Sequence, residues 1–141
     1  MFKKFFKKKS NTEINADSIL VAALLVHAAK IDENYTDVER KMIKKAIITL
    51  NKISENEAQE ILDKAEKKEQ ESNQIIEFTR EIKNKSMEYR IKIVEILWKI
   101  IYSDGTSDNY ESNLIRRICG LLYVSDRDSG MIKQKIQNLE S

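Results

Sequence analysis

The sequence predicts an all-α protein: a compact bundle of about seven helices, built from two pseudo-twofold halves, each a helix, an acidic loop and a further helix. Three observations lead there. The 141 residues contain no proline and only three glycines, while Lys, Glu, Ile, Leu and Ala abound and period-2 alternation of β-branched residues is scarce. Apolar residues recur at helical spacing between capping residues. Finally, Asp104-Gly105-Thr106-Ser107-Asp108-Asn109-Tyr110-Glu111 has a weaker copy 72 positions earlier, Asp32-Glu33-Asn34-Tyr35-Thr36-Asp37-Val38-Glu39, and both copies lie between apolar runs.

The length fits one domain able to bury a single core. Residues 1–15 read as a basic and aromatic tail with a polar linker, and residues 16–141 as the helical domain. Phe2, Phe5 and Phe6 stand at i, i+3, i+4, and Lys3, Lys4, Lys7, Lys8 and Lys9 fill most other positions. As a helix this tail would put three rings on one face and ammonium groups around the rest. Two readings stand: a contact with an anionic membrane surface or a partner protein, or a frayed terminus. The tail lacks the apolar centre of a secretory signal, so no export is expected.

With 25 Lys and Arg against 23 Asp and Glu, the formal net charge is +2. The tail holds five of those lysines and no acid, so the remaining chain is slightly acidic. Nucleic acid is therefore not an expected partner, since its binding needs cations spread over a folded face. The longest apolar run, Ile19 to Val26, is far short of the roughly 18–20 residues a membrane span needs. Cys119 is the single cysteine and has no internal disulfide partner, which suits a reducing, cytoplasmic setting. Its apolar surroundings make it a buried small hydrophobe.

Taken in order, Asp17 or Ser18 caps a first helix from about Ile19 to Ile31. Apolar residues on nearly every side make this helix central and buried. His27, the one histidine, is either a metal ligand beside the acidic loop or a hydrogen-bonded helix-end residue. A second helix from about Asp37 to Asn51 carries the stripe Met42, Ile43, Ala46, Ile47 and Leu50. Ser54 and Glu57 form a capping box for a third, with the stripe Ala58, Ile61, Leu62 and Ala65. It runs out in the charged stretch Glu66–Glu71, expected to be solvated.

Ile75, Ile76, Phe78, Thr79 and Ile82 predict a short fourth helix from about Asn73, interrupted by polar Lys83–Ser86. The fifth, about Met87 to Tyr102, is broadly apolar towards its end and should be the second central helix. A sixth from about Asn109 to Leu122 and a seventh from about Asp126 to Leu139, capped by Ser125, complete the chain. Gly130 weakens the last one slightly. Beyond the loops, Met42-Ile43 matches Leu114-Ile115, Lys44-Lys45 matches Arg116-Arg117, and Ile53-Ser54-Glu55 matches Val124-Ser125-Asp126 with one residue dropped.

The acidic loops allow two readings. Thr36-x-x-Glu39 and Asp108-x-x-Glu111 both have capping-box form, and Gly105 suits a left-handed helix end. Asp32 and Asp104 need something more, because each lies at a helix C-terminus, where the macrodipole disfavours a carboxylate. A divalent cation would compensate. Asp32, Glu39, Asp104, Asp108 and Glu111 would offer it oxygen ligands from two loops, which suits Ca²⁺ or Mg²⁺ better than zinc. The loop is not an EF-hand: counted from Asp104, the sixth position is Asn109 and the twelfth Ile115. The other reading keeps these acids as caps and salt bridges alone. With no phosphate-binding glycine loop and no nucleophile–base constellation, the chain is not expected to be an enzyme.

The segment Ile93-Val94-Glu95-Ile96-Leu97-Trp98-Lys99-Ile100-Ile101-Tyr102-Ser103-Asp104-Gly105, followed by Glu111, Leu114-Ile115-Arg116-Arg117-Ile118 and Leu122 to Asp128, resembles the tellurite-resistance TerB-like family. So does the stretch from Ala22 to Glu39, although Glu33 stands where the family often has glycine. The resemblance spans roughly residues 16–130. It implies a bacterial all-α bundle of two halves whose acidic residues are a proposed metal site, with Asp104 and Glu111 carried over first, then Asp32 and Glu39. It also implies a stress-response or membrane-proximal setting; in that setting the helical module is expected to present a surface to a protein partner of unspecified identity.

Overall fold

In the computed structural model, residues 17–30, 35–72, 74–102 and 109–140 are described, without side chains at 109–112 and 139–140. The first helix, α1, occupies residues 17–29. Val21 through Val26, Ala28 and Ala29 are all buried, as expected of a helix apolar on every side. Its start differs from expectation. Asp17 and Ser18 are already helical, so neither is the cap. Asp17 instead forms an ion pair with Lys85, and the buried Ser18 hydroxyl has no hydrogen-bond partner among the described residues. The helix also ends earlier than Ile31: Lys30 is a turn residue whose N–H is shared between the carbonyls of Val26 and His27.

Helix α2 spans Asp37–Asn51 and α3 spans Glu55–Glu71, each opened by the capping box its sequence announces. Thr36 accepts from the Glu39 N–H at 3.1 Å, and Ser54 from the Glu57 N–H at 3.2 Å. Each such cap satisfies a backbone donor that would otherwise be orphaned, worth about 1 kcal/mol. The stripe predicted on α2 divides in two: Ile43 and Ile47 are fully buried, whereas Met42, Ala46 and Leu50 are partly exposed. Helix α2 packs on α3 and α5, and the ridge 42-46-50 lies at the margin of that packing.

The predicted fourth helix is two short pieces, α4 at Ile76–Thr79 and a 3₁₀ turn at Ile82–Asn84. The extended Lys85 (ψ 168°) ends them. Burial of Ile75, Phe78 and Ile82 holds this connector in the core, although so short a helix has little stability of its own. Helix α5, Met87–Ile101, is capped by Ser86, which accepts from the Tyr89 N–H at 3.1 Å. Helices α6, Asn109–Leu121, and α7, Asp126–Glu140, follow. Ser125 accepts from the Asp128 N–H at 3.1 Å, as its position predicts. Gly130 lies within α7 in open space: a Cβ added there would meet nothing inside 4 Å.

Helix α5 packs on α7, α6 and α2, α6 packs on α7, and α4 on α6. The buried side chains form one core cluster to which both apolar helices, α1 and α5, contribute. The α5–α7 seam is closed by polar anchors at an apolar surface. Trp98 Nε1–H donates to Ser129 Oγ at 3.2 Å, its ring stacks on Tyr102 at 5.8 Å, and Gln137 donates to the Tyr102 hydroxyl at 2.8 Å. No helix among the described residues is long and apolar enough to cross a membrane.

The repeat is carried by the backbone as well. Among the described residues, two non-glycine residues have positive φ, Lys52 at 53° and Tyr123 at 58°. Each turns the chain from the second helix of its half into the third, and they correspond under the same one-residue shift that aligns Ser54 with Ser125. The fold is therefore the expected all-α bundle of two repeated halves.

Candidate functional site

Of the five acidic residues predicted as ligands, Glu39 is within the described side chains. Asp32, Asp104, Asp108 and the side chain of Glu111 lie outside them, as does the tail from Phe2 to Lys9. Glu39 is 8 % exposed. Its Oε1 accepts from the Thr36 N–H at 3.0 Å and from the Thr36 hydroxyl at 3.1 Å. That carboxylate closes the capping box on α2, and its oxygens are the hard donors that suit Ca²⁺ or Mg²⁺. Among the described residues, no three His, Cys, Asp or Glu side chains are gathered as metal ligands would be.

Two clusters of charge flank the first acidic loop, and both are built on α3. On the side where the chain leaves α1, Glu69 accepts from Lys30 Nζ at 2.9 Å, and its other oxygen lies 3.3 Å from His27 Nδ1. His27 is thus the hydrogen-bonded helix-end residue of the second reading. On the side where the chain enters α2, Arg40 grips Glu66 with a two-point fork, both contacts at 2.8 Å, and reaches Asp63 at 3.2 Å. Glu66 and Glu69 are one turn apart, so a single edge of α3 ties down both ends of the loop.

The electrostatics follow from this geometry. The hydrogen bond from Arg40 holds the Glu66 carboxyl below its ordinary pKa, and the same bond raises the guanidinium of Arg40 further. The Tyr35 hydroxyl is buried beside the pair with no hydrogen bond of its own among the described residues. Burial first, and then the Glu66 carboxylate, push its pKa up, so the phenol stays neutral.

This network corrects the expectation that Glu66–Glu71 is merely solvated surface. Side-chain exposure is 22 % at Glu66 and 11 % at Glu69. The available signal was the spacing of Asp63, Glu66 and Glu69, three apart along the margin of the apolar stripe, which presents acids to whatever packs beside it. Cys119 is fully buried, as predicted, and burial raises its thiol pKa. A thiol so placed is an inert part of the core rather than a nucleophile.

A duplicated helical bundle, with acidic sequence between its helices and a polar network on α3 beside the first such stretch, defines a class of small all-α modules. Residues 18–134 match the family model of tellurite resistance protein TerB. The chain belongs to the TerB family. No curated protein and no solved structure matches it.

Proposed function

We propose that this chain is a non-enzymatic TerB-family module that binds a divalent cation at its twinned acidic loops and recruits a protein partner, in a bacterial stress-response or membrane-proximal context. The observation that carries this reading is the repeat itself. Asp32 and Asp104 stand 72 positions apart between matching apolar runs, and the two halves also share the left-handed corners at Lys52 and Tyr123. Each aspartate follows a buried helix whose C-terminal dipole disfavours a carboxylate.

Asp32, Asp104, Asp108 and Glu111, with Glu39, are the residues that would hold Ca²⁺ or Mg²⁺. These carboxylates would hold the cation, whose positive charge would offset the helix-end dipoles beside Asp32 and Asp104. Lys30, His27 and Arg40 keep the ends of the first loop in place through Glu69 and Glu66. The basic tail, Phe2 to Lys9, is proposed as a peripheral contact with anionic lipid on the cytoplasmic side of the inner membrane.

Thermal melting with and without Ca²⁺ or Mg²⁺ tests the cation. At about a hundredfold excess over Kd the melting temperature should rise by roughly 10 °C, and the rise should vanish in Asp104→Ala. No rise with either ion overturns the metal reading. One observation favours a second reading: Glu39 already has a complete cap role with Thr36. In that reading the module is metal-free, its acids are caps and salt bridges, and the flat melting response is its signature.

A further inference from the structure

We infer that the trough between α2 and α5 is the docking site for a short, acidic, amphipathic helix of a protein partner; this rests on the partner-binding part of the reading above and is independent of the cation. The trough encloses about 500 Å³. Its floor is Met42, Ala46 and Leu50 from α2 with Ile96 and Ile100 from α5. Each wall is one stripe of one helix, 42-45-46-49-50 facing 92-95-96-99-100. Eight residues of rise make each wall about 12 Å long. That is the length over which a bound helix presents anchors at i, i+3 and i+7.

The repeat within the chain provides the template for the occupant. Seventy-two positions on, Met42, Ala46 and Leu50 correspond to Leu114, Ile118 and Leu122 of the second half. In the other direction, Ile96 and Ile100 correspond to Leu24 and Ala28 of α1. All five counterparts are buried, and α4 packs on α6. The connector around α4 brings the buried residues Ile75, Phe78 and Ile82, spaced i, i+3 and i+7. A short apolar segment thus lies against α6 in the second half, while the corresponding face of α2 in the first half lines an open trough.

Charge selects which segment would fill the open copy. The rim holds Lys45, Lys92 and Lys99 against Glu95. Among the described residues, Lys99 and Lys92 make only long ion pairs within α5, each 3.6 Å, to Glu95 and Glu88. Lys45 has no ion partner among the described residues. Such a rim attracts a partner with carboxylates between its apolar anchors. It repels the chain's own tail, where Lys3, Lys4, Lys7, Lys8 and Lys9 accompany the phenylalanines.

The test uses the full chain and a fluorescein-labelled acidic analogue of residues 74–84, with glutamate in place of Arg80 and Lys83, read by fluorescence anisotropy. Binding should be saturable and weakened by salt. Ala46→Arg should abolish it by filling the floor, and the exposed pair Lys45→Glu with Lys99→Glu should weaken it about tenfold while leaving the fold intact. Absence of saturable binding, equal binding by both variants, or equal binding by a lysine-substituted peptide overturns the proposal. So does binding that emerges only after deletion of residues 1–16, which would make the tail the occupant. Vesicles containing phosphatidylglycerol that bind through Ala46 when the peptide does not would assign the trough to lipid instead. The melting response to Ca²⁺ or Mg²⁺ reads the acidic loops alone, so failure of one proposal leaves the other standing.

Discussion

Lys52 and Tyr123 are the same residue of the repeat: each adopts the left-handed backbone conformation, φ 53° and 58°, where the second helix of its half gives way to the third. The corners are closed by backbone hydrogen bonds, Lys52 N–H to Ile48 O at 2.8 Å and Val124 N–H to Cys119 O at 2.9 Å. Neither corner uses glycine, although glycine would adopt this conformation without steric cost.

Relief of that cost is measurable. Lys52→Gly should raise the free energy of unfolding by about 0.5–1 kcal/mol in urea titrations, because the exposed lysine side chain contributes little packing. Lys52→Val should lower it by about 1–2 kcal/mol, since a β-branched residue is strained there. If both variants match the wild type, the corner holds no strain.

The Arg40–Glu66 fork gives stability a dependence on pH of known sign. Glu66 is held below its ordinary pKa in the folded chain, so its contribution is complete above the ordinary glutamate range and is lost as pH falls through the lower folded value. With side chains 36 % and 22 % exposed, the pair is screened, and Glu66→Gln should cost about 1 kcal/mol at neutral pH. That gap should close on acidification. A gap of constant size from neutral to strongly acidic pH would show that the carboxylate charge contributes nothing.

Ser129 and Trp98 form a hydrogen-bonded pair whose loss should be conditional. Ser129→Ala leaves the indole N–H of a residue only 4 % exposed without its acceptor, at about 1–2 kcal/mol. In a Trp98→Phe background the same change should be nearly free. Urea unfolding followed by circular dichroism gives the coupling energy of this cycle. An equal cost in both backgrounds would remove the hydrogen bond from the account of the α5–α7 seam.

Much of the fold was legible because its signals are local. Thr36 with Glu39, Ser54 with Glu57, and Ser125 each accept the backbone N–H of a residue three positions on, so helix starts can be read without knowledge of any neighbour. All-round hydrophobicity likewise marked α1 as buried, and the apolar setting of Cys119 marked it as core. Asp17 and Ser18 misled because a residue of capping type can also serve inside a helix: Asp17 found Lys85 across the bundle instead.

The candidate site was less legible. Its sequence signal pointed to the acidic loops, whereas the described network lies on α3, where Glu66 and Glu69 reach Arg40, Tyr35, Lys30 and His27. The hydrogen-bonded partners among these are 26 to 42 positions away in sequence. Long side chains on the margin of a helix have no periodic signature that separates an anchoring acid from a solvated one.

By itself, then, the sequence determined the all-α class, the starts of α2, α3, α5, α6 and α7, the central place of α1 and α5, and the doubling of the chain, because capping and amphipathic periodicity act over three or four residues. Tertiary structure alone decided which part of a stripe is covered. Ile43 and Ile47 of α2 enter the core while Met42, Ala46 and Leu50 line an open trough, because burial depends on which helix arrives to cover each ridge, and that is settled by packing between distant segments.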